Sequence, residues 1–131
     1  MPRDLRMYVH DALEACRALA EFSRGKSLSD YESDALLRSA VERQFCIIGE
    51  AMFQAEKLDA DLASRITDLR QIINFRHILI HGYYAIEHDI VWGIIESQLV
   101  VLNRELVELS KILDDDAAEQ NAPSESDGDV S

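Results

Sequence analysis

Glycine and proline are scarce in this chain, 5 and 2 among 131 residues. That leaves little material for the many tight turns of an all-β sandwich. Only 2 cysteines occur, Cys16 and Cys46, 30 positions apart and both inside apolar patterns. One disulfide is arithmetically open, but buried free thiols in a reducing compartment are the expected state. No apolar run approaches the roughly 18 residues that a membrane span requires. Arg3, Asp4 and Arg6 interrupt the opening stretch where a secretory leader would carry its apolar core. The expectation is a cytoplasmic protein without membrane association.

Positive charge is the other shortage: 13 Lys and Arg stand against 25 Asp and Glu, a net charge of −12. The excess is unevenly placed. From Asp114 to Ser131 there are seven acids and no base, so the preceding body, with 18 acids to 13 bases, carries only −5. Such a body does not display the broad basic field of a non-specific nucleic-acid binder. A hydrophobic content of 47% excludes wholesale disorder. The length suits one domain.

What is abundant is helix-forming material, much of it in stripes. Leu5, Val9, Ala12, Cys16 and Leu19 recur at helical spacing, and Gly25 is a plausible left-handed stop after them. Ser27 to Glu32 reads as a loop or short turn. A second helix, capped by Ser33 or Asp34, runs to about Lys57 with Leu37, Val41, Ile48, Met52 and Ala55 on one face, widened by Leu36, Phe45 and Ile47. Gly49 in its middle costs about 1 kcal/mol relative to Ala, which suggests close approach of another backbone. Asp59 to Arg65 suits a short helical turn. Thr67 or Asp68 caps a third main helix over 69–81, with Leu69, Ile73, Arg76 and Ile80 on one stripe and Gly82 as its stop. A fourth, over 87–113, repeats Val91, Ile95, Leu99, Leu102, Leu106, Leu109 and Leu113. The predicted architecture is all-α: an antiparallel bundle of four main helices plus a short one over residues 1–113, then a disordered acidic tail over 114–131.

Chemistry concentrates where the third helix ends, in Arg76-His77-Ile78-Leu79-Ile80-His81-Gly82-Tyr83-Tyr84. On an ideal helix Arg76 and His81 are about 140° apart in azimuth and about 7.5 Å apart along the axis. A two-fold axis would gather two such pairs in one cleft. Imidazole moves protons near neutral pH, and guanidinium holds non-bridging phosphate oxygens, so the pair suits RNA cleavage by the 2′-hydroxyl without a metal. Arg76 paired to an acid and His81 capping carbonyls is the structural alternative. His77 and His81 share a face at i, i+4, yet HExxH is absent and no third metal ligand is fixed by the sequence. Glu50, in Ile47-Ile48-Gly49-Glu50-Ala51, is placed to pair with Arg76 or Arg43.

Ile47-Ile48-Gly49-Glu50-Ala51, Arg76-x4-His81-x-Tyr83 and Asp89-Ile90-Val91-Trp92, in that order and spacing, resemble the HepT-like family of HEPN-domain proteins over residues 3–113. The resemblance implies a dimeric helical bundle that acts as the toxin of a toxin–antitoxin pair, with a minimal nucleotidyltransferase antitoxin, MntA, as partner. It implies metal-independent ribonuclease activity with no cofactor. Arg76 and His81 take the catalytic positions, His77 and Glu50 support them, and Tyr83 is the tyrosine to which the antitoxin attaches AMP. The added phosphodiester charge and adenine would repel RNA and fill the cleft. One departure stands out: His77 occupies the position where the family commonly has Asn after the Arg, and Asn74 is no substitute by spacing. With the acidic charge, it favours an alternative: a non-catalytic helical dimer that binds a nucleotidyltransferase as its substrate or regulatory subunit.

Overall fold

The computed structural model describes residues 4–82 and 86–121, and among them it contains helices and no strands. In chain order these are α1 (Leu5–Ser23), α2 (Leu28–Ser33), α3 (Ala35–Leu58), α4 (Ala60–Ala63), α5 (Leu69–His81), α6 (His88–Ser97) and α7 (Leu99–Asn121). The all-α bundle expected from the stripes is present. α3 lies at its centre, packed against α1 on one side and α5 on the other, while α7 closes over α1. The cross-links Glu56–Arg70 and Glu50–Arg76 show α3 and α5 running antiparallel.

Local chemistry sets most of the boundaries. Asp4 caps α1 by accepting from the Met7 N–H, and Gly25, at φ 72, makes the left-handed exit past Arg24. Asp34 caps α3 through the Leu37 N–H, and Asp59 caps α4 through the Leu62 N–H. The stretch expected as a loop before α3 is a short helix, because Ser27 and Asp30 form a reciprocal capping box. Those hydrogen bonds also hold the Asp30 carboxyl below its ordinary pKa.

Three expectations need correction. The long helix predicted over 87–113 is two helices, broken at Gln98. The apolar stripe passes through the break in register, so periodicity does not reveal it. At the end of α6 the Ser97 hydroxyl donates to the Gly93 carbonyl at 2.6 Å, an arrangement associated with bent helices. Second, α7 does not stop at Leu113: residues 114–121, assigned to the disordered tail, continue the helix. Asp114 accepts from Arg6 of α1 at 3.0 Å, and Ala117, Ala118, Glu119 and Gln120 are all compatible with continued helix. The rest of that tail lies outside the described residues. Third, the residues expected to cap α5 do not cap it. Asp68 holds the N-cap position at φ 59 but makes no side-chain cap bond, and Thr67 gives its N–H and hydroxyl to Glu105 of α7 at 2.9 and 2.7 Å.

The core follows the stripes closely. Val9, Ala12, Cys16 and Leu19 of α1 are buried, as are Leu37, Val41, Ile48, Met52 and Ala55 of α3 and every member of the series from Val91 to Leu113. Leu36, expected to widen the α3 face, is instead 81% exposed, and Ile80 of α5 is 45% exposed. Cys16 and Cys46 are free thiols. Among the described residues, no helix is long and apolar enough to cross a membrane.

One aromatic cluster joins α2 to α6. Tyr31 is fully buried, its ring 5.2 Å from that of Trp92 and edge-on to His88 at 5.8 Å. The Tyr31 hydroxyl and the Trp92 indole N–H have no hydrogen-bond partner among the described residues. Burial pushes the Tyr31 phenol up to about 12, assisted by Glu42 and opposed by Arg38, and burial alone pushes the Cys16 thiol up to about 12. Both groups favour their neutral form in the fold. Their stabilising contribution is therefore complete below the ordinary thiol and phenol values, 9.0 and 10.0, and is lost as pH rises toward 12. Thermal melts should show Tm falling steadily above pH 9. Tyr31→Phe should leave Tm at pH 8 unchanged or raised, since it deletes a buried, unpartnered hydroxyl, and should blunt the alkaline loss. A clear drop in Tm for Tyr31→Phe at pH 8 would show that the hydroxyl stabilises the fold.

Candidate functional site

The geometry begins with Gly49 on α3. A Cβ at that position would overlap the Cβ of Arg76 and lie 3.3 Å from the Ile72 carbonyl oxygen. The absence of a side chain there lets α5 lie directly against α3, fulfilling the expectation of a close backbone approach. Phe45 and Phe75 meet edge to face at 5.2 Å on the same interface. Arg76 is thereby held beside the next residue of α3, and its Nε forms an ion pair with Glu50 Oε2 at 3.0 Å. Of the two arginines considered for Glu50, the structure selects Arg76. Gln54, one turn further along α3, donates to the other carboxylate oxygen at 3.0 Å. Glu50 is thus fixed from two sides. The ion pair engages the Nε edge of the guanidinium, and Arg76 makes no hydrogen bond among the described residues.

α5 separates two concavities. On the Arg76 side a cleft of about 380 Å³ opens between α1, α3 and α5, walled by Arg43, Cys46, Glu50, Arg76 and Ile80 among others. Burial raises the Cys46 thiol above its ordinary value, while Arg43 and Arg76 pull it back down. On the other side an apolar groove of about 370 Å³ runs between α5 and the α6–α7 junction, lined by Phe75, Ile78, Ile94 and Leu102 among others. Asn74 lines this second groove, while Arg76 lines the first.

His77 and His81 occupy one exposed face of α5, their rings 4.6 Å apart and tilted by 51°. His81 is the last residue of the helix, and Gly82 ends it by donating its N–H to the Ile78 carbonyl at 2.8 Å. Arg76 faces α3 and His81 faces solvent, so within one chain the two make no hydrogen bond or ring contact. The residue at the position of the usual Asn, His77, stands against His81 and not against Arg76. Among the described residues no group of three His, Cys, Asp or Glu is arranged to hold a metal ion. Tyr83, the expected modification site, lies outside the described residues.

Sequence reasoning passed over the wall of the Arg76 cleft. Its signal was the spacing of Arg43, Cys46 and Glu50 at i, i+3 and i+7, which places them on one face of α3.

Comparison with known proteins places this fold in a family. Residues 12–109 match the family model described as "Ribonuclease HepT-like", and the chain belongs to that family. It is similar to a Caldanaerobacter subterraneus subsp. tengcongensis protein named as a candidate RNase, with 30% identity over 79% of this chain and 92% of that one. A Methanocaldococcus jannaschii protein, also named as a candidate RNase, is 26% identical over 79% of this chain and 94% of its own length. A Thermococcus cleftensis protein named as a candidate ribonuclease HepT is 26% identical over 85% of this chain and all of its own. No significant match exists among solved structures.

The Gly49 contact yields a test. In an ordinary helix Gly→Ala gains about 1 kcal/mol. Here Gly49→Ala should lower Tm, at a cost of about 1–3 kcal/mol from overpacking, because the obstructing atom is the backbone-anchored Cβ of Arg76. A rise in Tm for Gly49→Ala would mean that α5 moves away without penalty.

Proposed function

We propose that this chain is a HepT-type toxin that cuts RNA as a dimer, without a metal, through Arg76 and His81. The observation that carries this reading is the Glu50–Arg76–Gly49 arrangement: a guanidinium anchored by Nε, with its terminal nitrogens left for an anion at the edge of a cleft. Ribonuclease names among the relatives and the family's own description support it.

In this mechanism the substrate's 2′-oxygen attacks phosphorus as the bond to the 5′-oxygen breaks. One imidazole takes the 2′-hydroxyl proton and another proton is given to the leaving 5′-oxygen, yielding a cyclic phosphate and a 5′-hydroxyl. His81 suits the proton transfers, being an imidazole exposed at a helix end. Arg76 suits the charge that grows on the non-bridging oxygens. Their separation within one chain favours a site built from two copies. Apolar side chains flanking His81 support such pairing, since Ile78 and Ile80 are each about half exposed. Glu50 holds Arg76, and His77, beside His81, orients that ring.

The regulatory half of the proposal is attachment of AMP to Tyr83 by an MntA-like nucleotidyltransferase. Tyr83 is two residues beyond His81, so a new phosphodiester charge and an adenine ring would be delivered to the mouth of the site. His77 at the usual Asn position and the net charge of −12 favour a second reading. In it the dimer binds the nucleotidyltransferase and cuts nothing.

Unmodified protein incubated with total RNA in excess EDTA should generate new 5′-hydroxyl ends. Arg76→Ala and His81→Ala should each reduce the rate by about 100-fold or more while sedimenting like the parent. Full activity in both variants would sink the assignment of these residues. A folded dimer that yields no new ends would establish the binding-module reading. Separately, incubation with the nucleotidyltransferase and ATP should add AMP mass to the peptide containing Tyr83 and halt cleavage. Tyr83→Phe should escape both effects; modification of Tyr83→Phe to the parent's extent would place the acceptor elsewhere.

A further inference from the structure

Most guanidinium groups in the bundle are neutralised or satisfied where they stand. Arg6 pairs with Asp114, Arg17 with Glu14, Arg24 with Glu21 and Arg70 with Glu56, while Arg38 donates to the carbonyls of Tyr31 and Glu32. Arg76 has Glu50. Arg43 differs. It is exposed on α3 and makes no hydrogen bond or ion pair among the described residues. It also lines the same cleft as Arg76, with the Cys46 thiol under the influence of both guanidiniums.

Two carboxylates, Glu50 and Asp11, share this cleft with Arg43. Glu50 is committed to Arg76, and Asp11 of α1 is itself engaged. Arg43 and Glu50 are seven residues apart on one helix face, so about 10 Å of α3 separates Arg43 from the carboxylate that grips Arg76. Two guanidiniums lining one cleft of about 380 Å³ suit a strand carrying repeated negative charge. A planar fork of N–H donors matches a phosphate with two parallel hydrogen bonds. In a chain of net charge −12, a free guanidinium here is a local attractive point for a polyanion that the surface at large repels.

We propose that Arg43 binds a backbone phosphate of the RNA substrate next to the one that Arg76 holds, making the cleft between α1, α3 and α5 the track along which the strand lies. This assignment rests on the ribonuclease reading of Arg76 and His81. Arg43 contributes to binding and register and touches no reacting atom.

The test uses the full chain carrying His81→Ala, so that RNA is not consumed, and a fluorescein-labelled single-stranded RNA oligonucleotide read by anisotropy across a series of salt concentrations. Adding Arg43→Ala should weaken binding by about tenfold, as for loss of one charged hydrogen-bonding partner. It should also make the slope of log affinity against log salt shallower by about 0.7, the value for one phosphate contact on a single strand. Arg43→Lys should keep the slope. Arg104→Ala, which removes an exposed and equally unpaired arginine from α7, should change neither quantity. Because Arg43 is exposed, all variants should melt with the parent. An Arg43→Ala protein with the parent's affinity and slope overturns the assignment while leaving the ribonuclease reading intact. An equal effect of Arg104→Ala overturns it too, by showing that charge anywhere on the surface suffices. RNA that fails to bind the parent at any salt concentration overturns the ribonuclease reading, and the role of Arg43 falls with it.

Discussion

The packing of α5 directly on α3 at Gly49 governs the arrangement around Arg76. With no Cβ on α3 at that point, the α5 backbone comes close enough for Arg76 to meet Glu50 of the next α3 position, and Gln54 holds the carboxylate from the other side. A Glu–Arg pair as exposed as this one, with side chains 44% and 31% accessible, adds little to stability. Its value is directional. It occupies the Nε edge of the guanidinium, and the terminal nitrogens make no hydrogen bond among the described residues. The small residue, the acid and the arginine are separate short signals in the chain, and they become one device only when the two helices touch.

Much of the fold was legible because the core obeys helical periodicity. The stripes of α1, α3 and the α6–α7 series are buried nearly as spaced, and Asp34 and Gly25 act as the cap and exit that their chemistry suggests. What was not legible has specific causes. A stripe that stays in phase across Gln98 cannot report that the backbone changes helix there; the only local trace is a serine four residues after a glycine. The acidic composition after Leu113 suggested a disordered tail, yet Asp114 finds Arg6, 108 positions earlier, and the helix continues. Thr67, a good cap by residue type, was taken by a carboxylate from α7. Long-range partners overrode local preference in the last two cases.

For the site, the motif residues were identifiable by spacing and by family resemblance, and the Glu50 partner was narrowed to two arginines. The choice between them depended on which side of α3 the next long helix would occupy, a tertiary fact. That same choice left Arg43 without an ion pair among the described residues. The separation of Arg76 and His81 in azimuth, by contrast, followed from helical geometry alone, and the exposed histidine face of α5 agrees with it.

The helix bearing both motif residues is less enclosed than α1 or α3: three of its 13 residues are buried, against six of 19 and eight of 24. α3 is its principal packing partner, the Thr67–Glu105 bond secures the residues just before it, and a groove rather than close packing separates it from α6 and α7. Local opening free energy scales with buried contact, so α5 should detach at a lower cost than α1 or α3, without global unfolding. Amide hydrogens of α5 would then exchange through a sub-global event. Anything that seals its open flank, whether a second copy or a regulatory partner, would act on the motif by raising the cost of that event as well as by covering it.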